Sequence, residues 1–104
     1  MLIYHVATAA DWAAAQVTGA YTTSTYGVTL EQEGFIHASR EDQWRGVLEA
    51  FYADETQPLL LLEIETDRLS AEVREDAVGD QTFPHVYGPI EPDAVVGVVP
   101  ISDR

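Results

Sequence analysis

The chain has 104 residues, a formal net charge of −13 and no cysteine. That length fits one hydrophobic core, and the lack of cysteine removes disulfides, thiolate catalysis and Cys-based zinc sites. The five basic residues are all arginine and lie far apart at Arg40, Arg45, Arg68, Arg74 and Arg104, so no extended nucleic-acid surface can be assembled from them.

A hydrophobic fraction of 46% marks a chain that folds despite its charge. The longest apolar run, Leu59 to Leu62, is too short to cross a bilayer, and "MLIYHVATAADW" has no basic segment leading an apolar one. The expectation is a soluble cytoplasmic protein, a single domain over residues 1–104, with no membrane partner. The acidity reads first as a solvated surface.

In chain order, Leu2 to Val6 reads as a strand. Thr8 with Asp11 three residues on resembles a capping box, predicting a helix over 9–17 with Trp12 inward and Gly19 beyond its end. "AYTTSTYGVTLEQ" is extended and irregular, with Leu30 anchored by a short helical turn. Phe35 to Ala38 is a second strand. Ser39 then caps a helix from Arg40 to about Ala53, whose Trp44, Val47, Leu48 and Phe51 recur at i, i+3, i+4 and i+7 as one apolar stripe.

The second half reads mainly as strand. "LLLLEIE" from Leu59 is a continuous apolar run that becomes alternating, which suits the centre of a sheet. "TDRLS" is a turn, "AEVRE" alternates weakly and "DAVGDQ" is a glycine-containing loop. "FPHVYGPIEP", with three prolines in ten residues, is expected to be neither a helix nor a regular central strand. "DAVVGVVPI" is a last β-rich segment. Five or six strands with two helices, both in the first half, predict an α+β domain with a mixed or antiparallel sheet.

The chemistry concentrates on three histidines. His5, His37 and His85 each stand beside a strand end with a hydroxyl near in sequence: Thr8, Ser39 and Tyr87. Loops and strand ends are where sites are built. Packing against hydrogen-bond partners is the plain alternative for each. No pair has the i, i+2 or i, i+4 spacing that makes metal convergence readable, so no metal is assigned. Only His37-Ala38-Ser39 matches a His-x-Ser/Thr phosphoesterase motif. There is no Gly-x-Ser-x-Gly elbow and no glycine-rich phosphate loop. The first turn after Ser39, with Arg40, offers N–H groups and a guanidinium to an anion, while Glu41 and Asp42 already occupy that end. Glu63, Glu65 and Glu75 are the strand carboxylates that could act as a base or stabilise a cation.

"IYHVATAADW", "EGFIHASREDQW" and "FPHVYGPIEPDAV", in this order, closely resemble the family known as domain of unknown function 952, over essentially the whole chain. The resemblance implies a fold similar to the ADP-ribosyltransferase domain, a split mixed β-sheet around a cleft. It implies NAD as the substrate rather than a resident cofactor, and a small nucleotide-type ligand whose ADP-ribose is transferred or hydrolysed. Tyr4-His5 is similar to the Tyr-His of a Tyr-His-Gly-Thr motif, with Val6-Ala7 where that motif has glycine and Thr8 one place late. His37-Ala38-Ser39 is similar to a His-Leu-Ser segment of RNA 2′-phosphotransferases. The catalytic set expected is His37, Glu75 and His85, with Tyr4, His5, Thr8, Ser39, Arg40 and Tyr87 binding ligand; His85 and Tyr87 have no clean counterpart in the resembled motifs. A non-catalytic binding or interaction module on the same fold is the alternative.

Overall fold

The computed structural model describes residues 1–101; Arg104 lies outside them. Strand β1 (Leu2–Thr8) pairs antiparallel with β5 (Leu59–Glu65), which pairs antiparallel with β8 (Val95–Ile101). The "LLLLEIE" segment is thus the middle strand, as its unbroken apolar run requires, because cores lie on both of its faces. One face carries Ile3, Ala7, Leu62 and Ile64 into a cluster with Tyr21, Ile36, Val86 and Ile90. The other carries Tyr4, Val6, Leu59 and Leu61 against Val47, Leu48 and Tyr52.

Helix α1 (Ala9–Thr18) starts where the sequence predicts. The Thr8 hydroxyl accepts the Asp11 N–H at 3.1 Å, and Gly19 ends the helix with φ +86°. Two short strands, β2 (Thr23–Thr25) and β3 (Val28–Thr29), form a ribbon that leads into the single turn α2 (Leu30–Glu33). A second three-stranded sheet has the order β4 (Ile36–His37), β7 (Gln81–Val86), β6 (Val73–Val78). The two larger sheets meet where β4 ends. Tyr4 and Ser39 exchange both backbone hydrogen bonds at 2.8 Å, so the chain leaves one sheet at Ala38 and touches the edge of the other. Every strand pairing among the described residues is antiparallel, where a mixed sheet was one of the expectations.

Three further expectations need correction. The third helix, α3, runs Trp44–Phe51 and not from Arg40. The Arg40 N–H is taken by the Gln43 side-chain oxygen at 3.0 Å, which holds residues 40–43 in a turn, while the Ser39 backbone is committed to Tyr4. "FPHVYG" does contain a central strand, β7, despite Pro84. Pro84 gives its carbonyl to the Ala38 N–H at 3.0 Å and lacks only the reciprocal N–H, while its neighbours stay paired with β4 and β6, so the strand continues through it. Finally, "DAV" belongs to β6, and only Gly79-Asp80 turns the chain into β7, with Gly79 at φ +64°. The apolar stripe of α3 is only partly covered: Val47 and Leu48 are buried, whereas Phe51 is 57% exposed.

Candidate functional site

β4 and β7 are registered so that His37 lies directly opposite His85. Their rings meet with Nδ1 of His37 3.2 Å from Nε2 of His85. Asp76, on the neighbouring strand β6, accepts from His85 Nδ1 at 2.8 Å. The same carboxylate oxygen accepts the Tyr87 hydroxyl. Phe35 stacks on the far side of the His85 ring, 4.0 Å between centroids and 11° between planes. Phe83 leans on His37 at 5.1 Å.

The partners set the proton positions. A carboxylate only accepts, so His85 donates from Nδ1; in the arrangement that leaves its Nε2 a lone pair, His37 donates to it from Nδ1. The remaining His37 nitrogen, Nε2, is then a bare lone pair. It is buried and has no hydrogen-bond partner. Burial, reinforced by the neighbouring His85 and His5 rings, lowers the His37 pKa to about 4. Two hydrogen bonds, first from Tyr87 and then from His85, hold the Asp76 carboxyl below its usual range, and the same contact with Asp76 pushes the Tyr87 phenol up.

His37 and His85 both line a cavity of about 650 Å³ between α3 and the β4–β7–β6 sheet, within the range of small-molecule sites. Phe35, Phe83, Tyr26 and Phe51 are the aromatic residues of its walls. His37 also borders a small void of about 10 Å³ shared with His5, Ser24 and Ser39.

The other residues proposed from sequence sit apart from this cavity. His5 is 3% exposed; its Nδ1 donates to the His37 carbonyl at 2.6 Å, leaving Nε2 to accept the Tyr21 hydroxyl at 2.8 Å. Burial lowers its pKa to about 4, so it is a neutral brace behind His37. The Tyr4 hydroxyl donates to Glu41 at 3.4 Å, Thr8 caps α1, and Ser39 is buried in the bridge to Tyr4. Arg40 forms a 2.7 Å ion pair with Glu75 and donates to the Thr82 carbonyl, so these two exposed residues occupy each other. Tyr87 reaches the site through Asp76. Sequence reasoning missed Asp76 and Phe35. The signal for Asp76 was the two-residue Gly79-Asp80 turn, from which counting back along the hairpin places residue 76 diagonally beside residue 85.

These features define a small α+β protein with an aromatic cavity closed on one side by an Asp–His–His chain. Residues 6–98 match the family described as protein of unknown function DUF952, and the chain belongs to that family. It is similar to the crystal structure of protein CC0527 from Caulobacter crescentus, with a TM-score of 0.86 and 27% identity over all of this chain and 89% of that one. A double mutant of CC0527 aligns equally well at 26% identity. No curated protein matches. Among the described residues, no helix is long and apolar enough to cross a membrane, and no group of three His, Asp or Glu side chains is arranged to hold a metal.

Proposed function

We propose that the cavity binds a small organic molecule and that His37 Nε2 accepts a proton there, either from the ligand or from a hydroxyl or water attacking it. The observation that carries this reading is the unpartnered Nε2 at the end of the Asp76–His85–His37 chain. A buried polar atom without a partner is costly, and a catalytic role is one of the reasons for which such an atom is kept. A lone imidazole with a pKa of about 4 is a weak base. The chain offsets this weakness. As Nε2 takes a proton, the proton on His37 Nδ1 passes to His85 Nε2, and the positive charge settles on His85 against the Asp76 carboxylate. General-base assistance of this kind contributes roughly 10²- to 10⁴-fold. His5 has a positioning role, since it grips the His37 backbone and leaves the ring free.

The test is histidine NMR on the full chain. Long-range proton–nitrogen spectra at pH 7 are expected to show His37 and His85 both protonated on Nδ1 and bare on Nε2. A His37 ring carrying its proton on Nε2 would overturn the proposal, because that nitrogen would then be a donor.

A second, more specific reading is ADP-ribosyl transfer or hydrolysis with NAD as substrate. It is supported by the order of the Tyr4-His5, His37-Ala38-Ser39 and His85-Val86-Tyr87 segments and by aromatic walls able to stack on nicotinamide. Against it, Glu33 and Asp42 line the cavity while Arg40 is held by Glu75, so the pyrophosphate would have to lie outside. Thermal shift and nicotinamide release, compared between the wild type and His37→Ala, decide it: neither stabilisation nor release by the wild type would sink the NAD reading. Stabilisation without turnover would favour a non-catalytic binding module, the outcome that the four aromatic walls also suit.

A further inference from the structure

We infer that the ligand class of this cavity is an organic cation, such as a quaternary or protonated amine. The inference rests on the cavity being a ligand site, and it names the chemistry that the site selects.

Six lining residues carry the argument: Tyr26, Phe35, Phe51 and Phe83 as aromatic walls, with Glu33 and Asp42 as exposed carboxylates at the mouth. No arginine lines the cavity, and the sequence contains no lysine. The two nearest arginines in sequence are engaged elsewhere. Arg40 is bound to Glu75 and to the Thr82 carbonyl, and the Arg45 guanidinium lies 4.5 Å from the centre of the Trp44 ring. An anionic ligand would therefore meet two carboxylates and no partner of opposite charge.

A cation finds two favourable terms. Aromatic faces attract a weakly hydrated cation by roughly 0.5–2 kcal/mol for each well-placed ring. The mouth carboxylates and the net charge of −13 raise the local concentration of cations, an effect that salt weakens. The inner wall does not compete, because burial keeps His37 neutral at pH 7. A protonated amine has a third option, which is to donate an N–H to the imidazole lone pair.

The experiment is an amide NMR titration of the full chain with three probes: choline, its neutral isostere 3,3-dimethylbutan-1-ol, and AMP. Choline is expected to shift resonances around Phe35, Gly46 and Phe51 at millimolar concentration, with an affinity at least tenfold above that of the isostere. Replacing both exposed carboxylates, Glu33→Gln with Asp42→Asn, should weaken choline binding about fivefold or more and leave the isostere unchanged. Equal binding of cation and isostere, tighter binding of AMP, or no choline shifts at the cavity would each overturn the assignment. Those results leave the histidine tautomers as they are, so a failure here is distinguishable from a failure of the proton-accepting role.

Discussion

The Nδ1 atom of His5 sits 2.6 Å from the carbonyl oxygen of His37, and through this bond the first strand fixes the residue that walls the cavity. Both rings are neutral in the folded protein, each with its pKa lowered from 6.5 to about 4 chiefly by burial.

From this follows a pH dependence. Between about pH 6.5 and 4 the unfolded chain binds protons that the folded protein refuses, so stability is complete above 6.5 and declines as the pH falls. For His5 the loss by pH 4 is on the order of 3 kcal/mol, and the more exposed His37 adds less. Urea midpoints measured from pH 7.5 to 4.5 should fall steadily. A flat profile across that window would show that neither ring is held neutral.

Tyr87→Phe should raise the Asp76 pKa, because the phenol hydroxyl is the largest of the contacts that depress it. The stability this carboxylate provides is present above its unfolded value near 3.8 and is lost as pH falls through the lower folded value. The variant should therefore be less stable than the wild type above about pH 4, with the difference shrinking as the pH falls below it. Side-chain carboxyl carbon shifts followed by NMR read the change directly, and an unmoved Asp76 titration would contradict the contact.

Gln43→Ala tests the turn that delays α3. The buried amide accepts from the Arg40 N–H at 3.0 Å and donates to the Thr82 carbonyl at 2.9 Å and to Gln81 at 3.2 Å. Removing it leaves those partners unmatched, at about 1–3 kcal/mol by chemical denaturation. A midpoint within error of the wild type would mean that the turn holds without the side chain.

Glu75→Gln should cost less than about 1 kcal/mol, since the ion pair with Arg40 is exposed on both sides. Glu75 does not line the cavity, so choline shifts should also persist. If they vanish, the glutamate acts on the site after all.

Gly88→Ala should be destabilising by about 1–3 kcal/mol through overpacking. A Cβ at residue 88 would lie 2.8 Å from the Cβ of Ala71, which has no rotamer to escape into. Adding Ala71→Gly should recover most of the loss in thermal unfolding, and a failure to recover would place the cause elsewhere.

Local signals were legible wherever one segment carried them alone. Thr8 with Asp11 announced the start of α1, and the apolar run from Leu59 announced a strand buried on both faces. The start of α3 was not legible. Ser39 has the right chemistry for a cap, but its backbone bonds to Tyr4, 35 positions away in sequence. Pro84 misled for a related reason: one missing N–H does not stop a strand whose flanking residues are paired on both sides.

The sequence by itself determined the α+β character, the family, and the three histidines as the residues to watch. It could not tell that His5 braces, that His37 walls the cavity and that His85 links it to Asp76. Those roles depend on strand register and on which ring nitrogen meets a carbonyl, a carboxylate or nothing. Such pairings are made between segments distant in the chain, and only the packed sheets bring them within hydrogen-bond reach.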